Sequence, residues 1–131
     1  MSDFKAKSIF LTGGTGFFGK SILSLLKRGL ASGLEFTVLS RNPTKFLADN
    51  PEFNNLPHVK FLAGDVRDFV FPEQQFDSFF HAAAPTISMP PGMERDIILT
   101  GTKRVLDFAG RCGAKRILYI SSGAAYGSQP P

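Results

Sequence analysis

Apolar and polar positions along this chain fall into two alternating regimes. Short, mostly apolar runs rich in β-forming residues occupy positions 9–11, 36–39, 59–62, 76–80 and 117–120. Such runs have the length of strands, and the first has the unbroken apolarity of a strand buried on both faces, as in a parallel sheet. Between them the spacing changes. Phe18, Ile22, Leu25, Leu26 and Gly29 share one helical face, opposite Lys20, Ser24, Lys27 and Arg28. Ile98, Gly101, Val105, Ala109 and Cys112 mark one stripe of a helix from about Met93 to Arg111, closed by Gly113. A short helix is expected over 43–50, and proline-bearing loops over 51–57, 69–75 and 85–92. Strands that alternate with helical segments predict an α/β fold, a doubly wound parallel sheet of about five strands with right-handed crossovers.

The first strand meets the first helix in S-I-F-L-T-G-G-T-G-F-F-G-K-S, residues 8–21, through Gly13, Gly14, Gly16 and Gly19. A residue without Cβ lets the backbone turn sharply and lets a ligand approach it closely. The following helix offers unpaired N–H groups and the positive end of its dipole at that place, where a phosphate would be well held. Two anion-binding patterns fit. Residues 12–19 have the T-G-x-x-G-x-x-G form of a dinucleotide turn, whereas residues 14–21 spell the G-x-x-x-x-G-K-S of a P-loop nucleotide triphosphatase. A P-loop needs an apolar run ending in a magnesium-binding aspartate. The nearest runs, ending at Asp65 and Asp107, are interrupted by a glycine or too short. Phe17 and Phe18 also suit a first helical turn better than a phosphate-wrapping loop. The dinucleotide turn is the favoured reading, with the P-loop as its rival.

In such sheets ligands bind beyond the carboxyl ends of the strands, where strand order reverses. The unusual clusters all fall there: the glycine turn, Ser40-Arg41, Asp65-Val66, the 81–84 segment and Ser121-Ser122.

A length of 131 residues and a hydrophobic content of 43% suit one domain with a core. No apolar run approaches the roughly 20 residues that span a bilayer, and M-S-D-F-K-A-K at the start lacks a secretory apolar stretch, so a cytoplasmic location without a membrane partner is expected. The single cysteine, Cys112, excludes an internal disulfide. A net charge of +4 raises nucleic acid as a partner, but the basic residues are scattered and form no aromatic-interleaved stripe. Nucleic acid is therefore not expected, and neither is a metal site. Modest positive charge also suits an anionic ligand.

Taken together, the motifs make the chain similar to the extended short-chain dehydrogenase/reductases, the NAD-dependent epimerase/dehydratase family. The similarity rests on T-G-G-T-G-F-F-G at 12–19, G-D-V-R-D at 64–68, H-A-A-A at 81–84, G-T at 101–102 and S-S-G-A-A-Y-G at 121–127, in the family's order. It implies a Rossmann-type sheet that binds NAD(P), with Gly13, Gly16 and Gly19 as the pyrophosphate turn and Thr15, Phe17 and Phe18 adding main-chain or packing contacts. Asp65 and Val66 would meet the adenine, the carboxylate accepting from its amino group. Ala82, Ala83 and Ala84 would line the nicotinamide side. Ser122, four residues before Tyr126, takes the place of the catalytic serine. Plainer roles stand beside these: Asp65 capping a turn, Ser122 ending a strand.

A family member that binds NAD typically carries a carboxylate after strand two, and an arginine there accommodates the 2′-phosphate of NADP. Ser40-Arg41-Asn42 therefore favours NADP over NAD, against an alternative in which Arg41 is only a solvated charge. The chain departs from the pattern in three ways. Ile98 replaces the asparagine four residues before the Gly-Thr threonine, no Y-x-x-x-K occurs because Tyr126 is followed four residues on by Pro130, and the carboxyl-terminal substrate domain has no counterpart. Residues 1–131 are thus expected to be the amino-terminal NAD(P)-binding part of an epimerase, dehydratase or reductase. Its substrate would be a nucleotide sugar or related hydroxyl compound, transformed by hydride transfer, and the fragment itself would be inactive. A non-catalytic NADP-binding sensor or interaction module is the alternative. The strand at 117–120 has an interior composition with nothing beyond to cover it, which predicts self-association through an open sheet edge.

Overall fold

The computed structural model describes residues 6–85 and 89–128, so residues 86–88 of the expected 85–92 loop lie outside the described residues. Strands β1 (Ser8–Thr12), β2 (Glu35–Ser40), β3 (Val59–Ala63), β4 (Ser78–His81) and β5 (Arg116–Tyr119) form one sheet in the order β3-β2-β1-β4-β5. Every neighbouring pair is parallel, with Phe10 of β1 opposite Thr37 on one side and Phe79 on the other. The expected Rossmann-type doubly wound sheet is therefore present. The chain leaves β1 toward β2 on one side and later returns to β4 on the other, so strand order reverses beside β1, where such sheets open a ligand crevice.

Successive side chains of a strand point to opposite faces, and this splits the core in two. Phe10 joins Leu39, Phe69, Phe76, Phe79, Val105 and Phe108 on one face, whereas Leu11 joins Leu23, Val38, Phe46 and Phe53 on the other. Helices α1 (Phe17–Lys27) and α2 (Pro43–Asp49) serve the second cluster, and α4 (Thr102–Cys112) serves the first. Asn42 caps α2 by accepting from the Lys45 N–H at 2.9 Å. At the sheet edge remote from the carboxyl ends, the Asp77 carboxylate accepts from the Lys7 and Ser8 N–H groups at 2.9 and 3.0 Å, bonds that hold its carboxyl below the usual range.

Three local features differ from the sequence reading. The innermost residues of α1 are Gly19 and Leu23, whereas Phe18 and Leu25 are about half exposed. Gly19 contributes no hydrophobicity to the periodic pattern, yet the helix packs on the Gly14 main chain of the turn through it. The expected helix over 93–111 is divided into α3 (Met93–Asp96), a π-helical turn (Ile97–Gly101) and α4. A π turn holds more residues than an α turn, so it rotates Ile97 inward and leaves Ile98 exposed, opposite to the α-helical stripe. The 51–57 loop contains a 3-10 turn, Pro51–Phe53, whose buried Phe53 stacks on Phe46 with ring centres 5.9 Å apart.

The connection after β3 is irregular, as expected, but it is packed. Arg104 of α4 donates to the Phe69 carbonyl at 2.9 Å and lies 4.6 Å from the Phe71 ring centre. β5 is an edge strand whose Ile117, Leu118 and Tyr119 are 42, 54 and 45% exposed. Among the described residues no helix is long and apolar enough to cross a membrane.

Candidate functional site

A cleft of about 470 Å³ opens at the carboxyl edge of the sheet. It brings together Gly13, Thr15, Gly16, Phe17 and Phe18 of the turn, Ser40 and Arg41 after β2, Asp65 and Val66 after β3, and Ala82, Ala83 and Ala84 after β4. Gly19 and Ser122 do not line it. Thr12, Leu39, Gly64, Pro85, Met89 and Ile97, not anticipated from sequence, do. Thr12 and Gly64 stand inside the motifs at 12–19 and 64–68, and Leu39 and Pro85 flank Ser40 and Ala84, which was the available signal. Met89 and Ile97 carried none, because the loop fold and the π turn place them.

The turn needs its glycines for different reasons. Gly13 has φ +71°, and a Cβ there would lie 2.4 Å from the carbonyl carbon and oxygen of Ala82. The first wall of the cleft therefore rests directly on the second. A Cβ at Gly19 would fall 2.2 Å from the Gly14 main chain, so Gly19 sets how closely α1 packs on the turn. Gly16 donates to the Gly13 carbonyl at 3.0 Å and precedes α1 in extended conformation, with no side chain capping the helix. First-turn N–H groups of α1 are thus left for a ligand, as an anion site requires. Lys20, the lysine of the P-loop reading, is outside the cleft, with its ammonium 5.9 Å from the Phe46 ring centre.

Asp65 carries the turn-capping role as well as a place in the cleft. Its Oδ1 accepts from the Arg67 N–H and Nε at 2.9 Å each, its Oδ2 accepts from Nη2 at 2.9 Å, and its carbonyl accepts from the Phe69 N–H at 2.8 Å. These Arg67 hydrogen bonds hold the carboxyl below its ordinary range, with a smaller contribution from the charge of Arg41. Arg67 also reaches Asp96 of α3 at 3.3 Å. A carboxylate offers about four lone-pair sites, so Asp65 keeps acceptor capacity beside this pairing. Val66 is seated by Gly101, where a Cβ would come within 2.8 Å of Val66 Cγ1.

Below the cleft, buried His81 spans two hydroxyls. Its Nδ1 is 2.6 Å from Thr12 Oγ1 and its Nε2 is 2.9 Å from Thr102 Oγ1. Thr12 Oγ1 also accepts from the Ala83 N–H at 3.3 Å. Burial pushes the imidazole pKa down. Ser122 lies beyond β5, exposed, and its carbonyl accepts from the Ala125 N–H at 3.1 Å beside the 3-10 turn Gly123–Tyr126. No group of three or more His, Cys, Asp or Glu among the described residues is placed to hold a metal ion.

A family model described as "NAD dependent epimerase/dehydratase family" matches residues 9–131. The UDP-glucose 4-epimerase of Rickettsia rickettsii (strain Sheila Smith) is 32% identical, over 93% of this chain and 38% of its own length. That of Rickettsia felis is 31% identical over the same shares. Among solved structures, Pen from Bacillus thuringiensis superposes with a TM-score of 0.74 at 30% identity, covering 94% of this chain and 40% of that one. UDP-glucose 4-epimerase from Bifidobacterium longum, in complex with NAD+ and UDP, shares the fold with a TM-score of 0.67 at 24% identity, covering 92% and 38%. The chain thus spans about two fifths of the relatives it matches. With the motifs at 12–19, 64–68 and 81–84 contributing to one cleft at the switch point of the sheet, and the family model matching residues 9–131, the chain belongs to the NAD-dependent epimerase/dehydratase family.

Proposed function

We propose that this chain is the dinucleotide-binding part of an enzyme that acts on a nucleotide sugar or related hydroxyl compound by hydride transfer, with NADP preferred over NAD. The observation that carries the reading is the meeting of the glycine turn, Arg41, Asp65-Val66 and Ala82–Ala84 in one cleft. The residues fit such a ligand: Gly13 and Gly16 leave the main chain accessible, and the α1 end supplies N–H donors for a pyrophosphate. Asp65 would accept from the adenine amino group on a lone pair that Arg67 leaves open, Val66 would cover a face, and the three alanines leave room for a ribose and ring. When bound, the nicotinamide supplies the hydride chemistry. Neither tyrosine is followed four residues on by a lysine, so the proton-transfer pair is assigned to the longer protein, and Ser122 to the substrate side of that assembled site.

Arg41 carries the cofactor preference. An arginine pairs with a phosphate through charge-assisted hydrogen bonds. NADP is expected to bind about tenfold more tightly than NAD, and Arg41→Ala to remove that difference by weakening NADP alone, about 1.4 kcal/mol. Calorimetric titration of both cofactors checks this, and equal affinities overturn the preference.

Self-association through β5 belongs to the same reading. An edge strand with exposed apolar side chains is a template for pairing with another chain. Sedimentation velocity at micromolar concentration is expected to show a dimer, and Leu118→Lys to shift it toward monomer. A clean monomer of the unsubstituted chain would count against the edge as an interface.

A further inference from the structure

We propose that His81 is a pH-sensitive positioning residue for the cleft: neutral, it locks the glycine turn, the Ala82–Ala84 wall and the start of α4 together, and protonated, it loosens them and weakens dinucleotide binding. This rests on the dinucleotide reading above.

The geometry is a chain of hydrogen bonds across three elements. Thr12 ends β1 and leads into the turn, His81 ends β4 and leads into the alanine wall, and Thr102 opens α4 directly after the π turn that places Ile97 in the cleft. The same Thr12 hydroxyl oxygen accepts from the Ala83 N–H, and Gly13 lies on the Ala82 carbonyl group. A small shift at His81 is therefore passed to both walls.

A neutral imidazole has one donor and one acceptor nitrogen. In either tautomer one threonine hydroxyl donates to the unprotonated ring nitrogen and the ring N–H donates to the other threonine, while the Thr12 oxygen takes the Ala83 N–H. Protonation makes both ring nitrogens donors. One of the two threonine hydroxyl hydrogens then loses its acceptor, and a cation is left at His81, only 2% exposed. Both changes are costly in a buried site.

The groups that face His81 are Thr12 from β1, Thr102 from α4 and the Tyr119 ring from β5, 5.3 Å away between ring centres. Burial is the cause of its depressed pKa, with no carboxylate, lysine or arginine contributing. Asp65, the carboxylate in the cleft, is held low by Arg67 and stays ionised as the imidazole titrates. The chain's other histidine, His58, is exposed and precedes β3 at the far edge of the sheet. A pH response of the cleft below neutrality therefore points to His81. Because the folded pKa is depressed, the tie is complete above the unfolded value of about 6.5 and is lost as pH falls through the lower folded value.

The test uses NAD, because the 2′-phosphate of NADP itself titrates near about pH 6. The NAD dissociation constant of the unsubstituted chain is expected to rise as pH falls from about 7.5 through the depressed His81 pKa, levelling off about tenfold higher once the imidazole is protonated in both free and bound chains. His81→Gln, which cannot titrate, should bind more weakly near neutrality and show no slope. By linkage, saturating NAD should lower the His81 pKa read from its imidazole NMR signals by about one unit. That measurement needs no variant and stands if His81→Gln fails to fold. A pKa unmoved by NAD, or a slope that persists in His81→Gln, overturns the positioning role while leaving the dinucleotide reading intact. Failure of the unsubstituted chain to bind either cofactor near neutrality overturns the dinucleotide reading, and this proposal with it.

Discussion

Gly13→Ala is expected to abolish detectable NADP and NAD binding and to destabilise the chain by about 3 kcal/mol, combining left-handed strain with overpacking. The residue sits at φ +71°, and the new methyl would lie 2.4 Å from the Ala82 carbonyl group, a main-chain neighbour that cannot rotate away. Relief requires the turn to lift off the alanine wall, which moves both halves of the cleft. Gly29 provides the control, because it has φ +75° with nothing within 4 Å of a Cβ. Gly29→Ala should cost only the conformational strain, about 1 kcal/mol, and leave binding intact. Cofactor titration and urea unfolding separate the two. Tight binding by Gly13→Ala would show that the turn does not touch the ligand.

The second large effect is on stability alone. Phe10→Ala is expected to lower it by about 3–5 kcal/mol, a large share of the 5–15 kcal/mol typical of a domain. Phe10 is fully buried, with ring centres 5.5, 5.2, 5.5 and 5.2 Å from those of Phe69, Phe76, Phe79 and Phe108. Truncation leaves four rings without a central partner and a cavity between sheet and α4. Phe17→Ala, at a residue 83% exposed, should change stability little. Urea unfolding followed by circular dichroism measures both, and near-equal midpoints would show that the aromatic cluster does not carry the core.

The fold was legible because each strand is short, mostly apolar and followed by a turn cluster, and strands separated by helical segments have few ways to pair other than in parallel. Most of the candidate cleft was legible for the same reason, since its residues directly follow strands. The α1 face was misread at Phe18 and Leu25 and the later stripe only at Ile98, while Val105 and Ala109 of α4 are buried as expected. A hydrophobic stripe does not register Gly19, whose contribution is the absence of a side chain, and the 3.6-residue period does not hold through the π turn at 97–101. The buried positions of Phe53 and Phe69 were hidden by connections whose local pattern is irregular.

Sequence adjacency therefore settled the strand sequence, the glycine turn and the placing of Ser40, Arg41, Asp65, Val66 and Ala82–Ala84 at the ends of strands, because these depend on neighbours a few residues apart. Tertiary structure alone decided which of them share a surface: strand order put β4 beside β1, so that Gly13 rests on Ala82, and it joined Thr12, His81 and Thr102 from three elements. It also decided that Ile97 faces inward in place of Ile98, and that Ser122 stays outside the cleft. The Thr12–His81 and Thr12–Ala83 bonds join residues 69 and 71 positions apart, and no local period or propensity encodes them.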